Sequence, residues 1–472
     1  MAPGVSGPFT VALPDGSLDS LDDDALPSVR TEIPGPGSAA MWERDARLHA
    51  HNSSPGAQHL RLVIHDARGA LVRDVDGNVF IDLSSGAVVA NIGHCPPSVI
   101  AAVQDESQRL LHFFDYATPP RAAFFEALAA TLPTSLQTFQ MYSTGSEAVE
   151  AALRLAKSYT KRYEVISFHS AWHGRTLASM SLMGGFRLKH GYGPFAPGVL
   201  HSVNAYCYRC PLELERDRCA VACARFVDRV YEQSADKELA AVIIEPIQGV
   251  GGVIAHPPEF LAHLRRFCDR TGALLVFDEI LTGVGRTGPM WAFEDSGVVP
   301  DVLIAGKGLA SGYPISVIAA RREIMDSAPF GLPGAGASTF ASGNLACAAA
   351  VATLDSLADG EILDHGRRIG KLMLSGLQTM KAHHPMIGDV RGHGMLMAIE
   401  LVSDRSTKAR IAPETSRKLL VALARRGLLT SGVGPILRIT PPLVLSETLA
   451  RRALQLLDDA LGEVEHDVGS AA

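Results

Sequence analysis

The stretch Ala273-Leu-Leu-Val-Phe-Asp278-Glu279 reads as an apolar strand ending in two carboxylates just ahead of a glycine-rich loop. Ligands of open α/β sheets bind at the carboxyl ends of the strands, so acids placed there face a ligand, although an ordinary solvated pair has the same pattern. Twenty-nine residues after Asp278 a second apolar strand, Asp301-Val-Leu-Ile-Ala, has run into Gly306-Lys307-Gly308. A lysine held between glycines at that edge is partly desolvated, which disfavours its ammonium and makes it an amine nucleophile toward a carbonyl. Only nine of the 43 basic residues are lysines, so Lys307 stands out from an arginine background. Without its neighbours it would read as a surface residue.

Two further stretches belong with these. Ser143-Thr144-Gly145-Ser146-Glu147-Ala148 is a small-residue turn entering a helix, and amides and hydroxyls at a helix N-terminus cup a phosphate. Thr144-x-x-Glu147 is also a capping box, a local role that coexists with anion binding. Ala171-Trp172-His173-Gly174-Arg175-Thr176 follows the strand Val165 to Phe168 and offers an aromatic plane, a glycine and an arginine. A Schiff-base lysine, an acid for a pyridine nitrogen, an anion cup and a stacking ring are the parts that hold pyridoxal phosphate (PLP).

The elements that must position these residues alternate. Amphipathic helices (Ser98 to Leu111, Arg121 to Leu132, Ser146 to Tyr163) are interleaved with apolar runs at Val165 to Phe168, Ala241 to Glu245, Ala273 to Phe277, Val302 to Ala305 and Ser316 to Ala320. That alternation predicts an α/β fold with a mainly parallel sheet covered on both faces. Ahead of it, Ala70-Leu71-Val72 and Val79-Phe80-Ile81 flank Asp76-Gly77-Asn78, a hairpin signal. After about residue 345 come helices at Leu345 to Leu357 and Ile362 to His383, a strand at Met395 to Leu401 and a closing helix after Pro442. The division expected is a mobile leader over 1–38, a small α+β domain from 39–85 and 346–472, and a large cofactor-binding domain over 86–345.

Composition narrows the partners. The 472 residues are 47% hydrophobic, ample for a packed core, and 43 Lys and Arg against 50 Asp and Glu leave a net charge of -7. That balance argues against nucleic acid or anionic membrane as a partner. No apolar stretch approaches a membrane span and no signal peptide is evident, so a cytoplasmic enzyme is expected. Seven cysteines are too few for a disulfide scaffold in a chain of this length. Cys207, Cys210, Cys219 and Cys223 have the C-x2-C-x8-C-x3-C spacing of a structural zinc site, but spacing alone supports it, and free or partly oxidised thiols are preferred to bound metal. Gly283-Val-Gly-Arg-Thr-Gly288 satisfies a dinucleotide pattern, yet Pro289-Met290-Trp291 follows it in place of a helix, so no dinucleotide is expected. His112, His190 and His201 read as loop or core residues.

From about Leu60 to about Leu461 the sequence resembles the class III (omega) aminotransferases of PLP fold type I. The resemblance is carried by Asp76-Gly-Asn-Val-Phe-Ile-Asp82, Gly93-His94, Thr144-Gly-Ser-Glu-Ala148, Trp172-His-Gly-Arg-Thr176, Glu245-Pro-Ile-Gln-Gly249, Asp278-Glu-Ile-Leu-Thr-Gly-Val-Gly-Arg-Thr-Gly288, Gly306-Lys-Gly308, Ser338-Thr-Phe340, Val390-Arg-Gly-His-Gly394 and Pro441-Pro-Leu443. It implies that Lys307 forms the Schiff base and Asp278 pairs with the pyridine nitrogen. It further implies that Gly145 and Ser146 bind phosphate, that Trp172 stacks on the ring, and that His173 and Glu245 lie at the cofactor. Ser338 and Thr339 would complete the phosphate site, Thr339 from the second subunit of a homodimer. Arg438 would hold a substrate carboxylate, with Arg175 the competing anchor.

Two positions depart from the pattern. Val250 stands where the branches acting on 4-aminobutyrate and ornithine have a glutamate that pairs with the arginine corresponding to Arg438. Leu281 replaces a glutamine that many relatives place near the cofactor's phenolic oxygen. The expected function is transfer of an amino group between an amino acid or ω-amine and a 2-oxo acid or aldehyde. The alternative is a relative with diverted PLP chemistry: racemisation, decarboxylation or carbon-carbon bond formation. A zinc-stabilised binding protein without turnover is the third reading, and the retention of Lys307 and Asp278 opposes it.

Overall fold

The computed structural model describes residues 17–469 other than 51, 186, 235, 342, 432 and 433. Its centre is a seven-stranded sheet, built from β1 (Thr138–Tyr142), β2 (Glu164–Phe168), β3 (Val199–Ser202), β4 (Leu239–Ile244), β5 (Leu274–Asp278), β6 (Val302–Gly306) and β7 (Ser316–Ala320). The spatial order is β1-β7-β6-β5-β4-β2-β3. Pairings from β6 through β3 are parallel, whereas β7 runs antiparallel to both β6 and β1. The strands β4, β5, β6 and β7 are buried along their whole length, which is why they read as unbroken apolar runs.

Alternation across the sheet assigns its two faces. Ile244, Phe277, Leu303 and Val317 join the larger core, while Ile243, Val276, Ile304 and Ile318 face the cluster under helix α1 (Gly145–Thr160). The larger core runs without interruption from Leu18 to Val464, so the parts contributed by the two termini share one hydrophobic interior with the central sheet.

The predicted hairpin forms with Leu71 opposite Ile81. The chain's C-terminal part returns to it, and Leu428 pairs in parallel with Ile81. A second small sheet pairs Ile387–His393 with Leu396–Asp404, against which Ile436–Ile439 also lies antiparallel. Among the described residues no helix is long and apolar enough to cross a membrane.

The mobile-leader expectation needs correction from residue 17 onward; residues 1–16 lie outside the described residues. Leu18 and Leu26 are buried, and Ser28 bridges to Val79. The hairpin turn pins the rest: Asn78 Oδ1 accepts from the amides of Arg30 (2.7 Å) and Thr31 (3.0 Å). Asp76 likewise accepts from Gly37 (2.6 Å) and Ser38 (2.8 Å). A segment poor in apolar residues is ordered here by its backbone donors, which composition does not register.

Candidate active site

Every parallel strand of the central sheet, and β1 with them, ends at one edge, and the chemical residues collect there. Asp278 closes β5 opposite Ile304 of β6, and Lys307 follows Gly306 at the end of β6. Lys307 has φ 46°, in the left-handed region where a side chain costs roughly 1 kcal/mol. Strain of this kind persists where surrounding structure over-determines it. The next residue, Gly308, packs closely on Asn91, since a Cβ on it would stand 2.3 Å from Asn91 Nδ2. Burial pushes the Lys307 amine below the ordinary lysine range, with Asp278 and Glu245 acting against that shift.

Beneath the lysine, Asp278 Oδ2 accepts from His173 Nδ1 at 2.8 Å, and Asp278 Oδ1 accepts from the Ile280 amide at 3.1 Å. The two side chains are 0% and 3% exposed. His173 sits on the loop after β2, and its Nε2 is buried with no partner of its own. On the same loop the Arg175 guanidinium lies 5.3 Å from the centre of the Trp172 ring. Glu245, just after β4, ties this loop to the next: its Oε1 accepts from the Trp172 amide (2.8 Å) and its Oε2 from the Gly249 amide (2.9 Å). Burial raises its carboxyl group to about 7.

Helix α1 enters the same space. Thr144 caps it, accepting from the Glu147 amide at 3.3 Å, while Glu147 Oε2 accepts from the amides of Thr144 (2.9 Å) and Ser143 (3.1 Å). The capping box therefore forms, and it leaves Gly145 and Ser146 facing the cavity. The Arg175 amide donates to Ser146 Oγ at 3.0 Å. That approach needs Gly174, whose φ is 136° and where a Cβ would fall 2.4 Å from the hydroxyl.

Gly145, Ser146, Trp172, Asp278 and Lys307 thus line one cavity of about 210 Å³, with His173, Glu245 and Arg175 in its walls. A wider cavity of about 790 Å³ adjoins it and shares Lys307, Trp172, Arg175, Val250 and Leu281. Arg438, on the strand Ile436–Ile439, belongs to the wider cavity. Ser338 and Thr339 do not line either one: Ser338 Oγ donates to Glu147 Oε1 at 3.2 Å, and Thr339 is exposed. Cys207 is exposed, Cys210 and Cys219 are half-buried and Cys223 is buried, all as free thiols. Among the described residues no three His, Cys, Asp or Glu side chains are grouped to hold a metal ion.

Two features of the site escaped the sequence. Ser85, Gly86, Ala87 and Val88 have φ of 48°, 55°, 68° and 66°, a left-handed turn whose Ala87 and Val88 wall the wider cavity. The run Ser84-Ser85-Gly86 hints at a turn, but nothing in the composition marks a valine for positive φ. The second is Arg286 of the Gly283–Gly288 loop, which is fully buried and donates to the carbonyls of Met395 and Pro441 and to Asn91 Oδ1. The glycines of this loop serve turns around that arginine, not a phosphate-binding helix.

The donor set suits PLP. An amine whose proton affinity burial lowers, a carboxylate fixed by histidine, an unpartnered buried imidazole nitrogen and a glycine-lined helix N-terminus converge on one cavity beside an indole.

Comparison with known proteins agrees. The profile of the family "Aminotransferase class-III" matches residues 52–461. A 4-aminobutyrate aminotransferase of Mycobacterium leprae is 37% identical over 444 residues, 92% of this chain and 97% of that protein. An isoleucine 2-epimerase of Lentilactobacillus buchneri is 35% identical over 433 residues, 90% of this chain and 93% of that protein. Among solved structures, an amine transaminase from an uncultivated Pseudomonas species in its PLP-bound form superposes with a TM-score of 0.82 at 28% identity, covering 88% of this chain and 98% of that one. With its strand-end lysine and acid in place and the family matched along most of its length, the chain belongs to the class III aminotransferases, PLP-dependent transferases of fold type I.

Proposed function

We propose that this aminotransferase moves an amino group from a carboxylate-bearing amine, either an α-amino acid or an ω-amino acid, to a 2-oxo acid or aldehyde, and that it works as a cytoplasmic homodimer. The reading rests on one observation above all: the Arg438 guanidinium lines the cavity that opens onto Lys307. Burial lowers Arg438 from the usual arginine range, and among the described residues it has no ion pair, so a bidentate carboxylate is the ligand it favours.

Lys307 and Asp278 would hold PLP at its aldehyde and pyridine ends, Gly145 and Ser146 its phosphate, and Trp172 its ring face. Bound there, PLP supplies an electrophilic carbon for the substrate amine and an electron sink for the bond that breaks. The protein's part is proton handling and orientation. Lys307 Nζ, which would hold the cofactor, is also the group placed to take up and return a proton at the substrate, and its lowered affinity for protons suits that exchange. Asp278, oriented by His173, is the group that would face the pyridine nitrogen. Trp172 and Leu281 line both the inner and the wider cavity, and so bound the passage between the two.

The subunit arrangement draws support from exposed aromatic and apolar side chains. Leu111 (60% exposed), Phe113 (57%), Phe114 (51%), Tyr116 (68%) and Phe340 (64%) crowd one region, with the His112 and Phe340 rings 5.1 Å apart. A patch of this kind marks an interface, and it adjoins Thr339, which the homodimer would bring to the partner's phosphate site.

Racemisation is the second reading, favoured by the likeness to the isoleucine 2-epimerase. One assay separates them. The purified holoenzyme is given single amino acids with and without a 2-oxo acid, and both products and enantiomers are followed by chiral chromatography. Oxo-acid-dependent amine transfer supports the proposal. Interconversion of enantiomers without an oxo acid, and no transfer with one, overturns it.

A further inference from the structure

The wider cavity that opens onto Lys307 has two unlike sides. On one, Arg438 and Ser431 stand opposite each other across an antiparallel bridge, so their side chains share a face. Both line the cavity, and Ser431 Oγ is buried with no hydrogen-bond partner among the described residues. A guanidinium beside an unengaged hydroxyl offers several donors to a carboxylate.

The other side is apolar and comes from two hydrophobic clusters. Val88, Val250 and Leu281 belong to one, and Leu60, Leu62 and Leu429 to the other. Val250 and Leu281 also line the inner cavity with Lys307, so this patch borders the place where a substrate amine must arrive. Close packing holds it together: a Cβ on Gly249 would fall 2.6 Å from Leu281 Cδ1, so glycine there lets Leu281 lie against the turn leading to Val250. Val88 is a β-branched residue held at φ 66°, a conformation its type disfavours and one that is retained at ligand-facing sites. Among the described residues lining the wider cavity there is no Asp or Glu; the charged ones are Arg175, Lys307 and Arg438.

We propose that the amine substrate is an α-amino acid with a large apolar side chain, its carboxylate on Arg438 and Ser431 and its side chain on the wall of Val88, Val250 and Leu281. The inference deepens the proposed function and rests on Arg438 being the carboxylate holder. A cavity of about 790 Å³ is of the size that encloses most of a drug-sized ligand, so a small side chain leaves the apolar wall facing water. Each further methylene laid on that wall gains about fourfold in affinity. An ω-amino acid has only the chain between its two charged ends, limited by the reach from Lys307 to Arg438, and covers less of the wall. A second cationic group finds no carboxylate there and carries its charge unpaired into an apolar surround.

Straight-chain acids from propionate to heptanoate carry no amine and cannot turn over, so calorimetric titration of the holoenzyme with them reads binding alone, whichever reaction the enzyme performs. Affinity should rise about fourfold per added carbon. The acid 4-guanidinobutanoate matches heptanoate in length but ends in a cation, and should bind roughly 100-fold more weakly. In Val250→Asp, which gives the wall an acid, that gap should narrow by about tenfold or more. Of the isomers norleucine and 6-aminohexanoate, the wild type should consume norleucine faster by about tenfold or more. An affinity that does not rise with chain length overturns the proposal, as does equal binding of the two long acids, an unchanged gap in the variant, or a preference for 6-aminohexanoate. Should Val250→Asp lose its fold or cofactor, judged by melting and cofactor absorbance, the wild-type measurements decide. Arg438→Ala keeps the two readings apart. If it binds heptanoate as the wild type does, the carboxylate-holder reading fails; if it loses binding while wild-type affinity is flat with chain length, the inference alone falls.

Discussion

His173 Nδ1 stands 2.8 Å from Asp278 Oδ2, with both side chains almost wholly removed from water. In that setting a charge-assisted hydrogen bond fixes the carboxylate in place before any ligand arrives, and the electrostatic effect of Asp278 is exerted without reorganisation. Asp278→Asn keeps the shape of the contact and removes the charge. The amine half-reaction, followed by stopped-flow absorbance, should slow by roughly 10²- to 10³-fold while the protein still binds PLP. A rate close to wild type would remove Asp278 from the role assigned to it.

Lys307→Ala should abolish covalent attachment of the cofactor. Borohydride reduction followed by peptide mapping should place the label on Lys307 in the wild type and on no residue of the variant. A label on any other lysine would refute the assignment.

The depressed proton affinity of Lys307 has a kinetic consequence. Its free amine is populated at lower pH than that of an ordinary lysine, whose value is 10.5, because burial disfavours the ammonium. The rate at which apoenzyme takes up PLP should therefore rise with pH and level off below 10.5. A rate still climbing past that value would contradict the desolvated environment.

Arg438→Ala should raise KM for amino acids by roughly 10- to 100-fold, the loss of a hydrogen bond to a charged group amounting to about 1.5–3 kcal/mol. Monoamines, poor substrates of the wild type, should gain relative to amino acids. Comparing an amino acid with its decarboxylated amine on both proteins checks this; equal use of the two by the wild type counts against the carboxylate site.

Arg286 joins the Gly283–Gly288 loop to the Met395 and Pro441 carbonyls and to Asn91 of the N-terminal segment. Arg286→Leu would leave those buried acceptors unsatisfied. A destabilisation of about 1–3 kcal/mol for each acceptor left unsatisfied is expected, read as a lower denaturant midpoint. Its effect on kcat of the folded fraction should be smaller than that of Asp278→Asn.

Much of this site was legible in the linear chain, because apolar runs buried on both faces of a parallel sheet announce their own ends, and Asp278, Lys307 and the Thr144–Glu147 box all sit directly at such ends. Residue type and spacing sufficed there: the chemistry lies within two residues of a strand or helix terminus. Tertiary structure alone decided the rest. The antiparallel direction of β7, the anchoring of residues 17–38 through the backbone donors that Asp76 and Asn78 accept, the left-handed turn at Ser85–Val88 and the span of Glu245 from Trp172 to Gly249 join residues distant in sequence or place side chains in conformations their type disfavours. Local pattern does not encode such pairings, since a backbone amide or a positive φ leaves no mark on composition. They exist because the packed sheet brings loops from five strand ends into one cavity, where each buried polar group must find its partner in another loop.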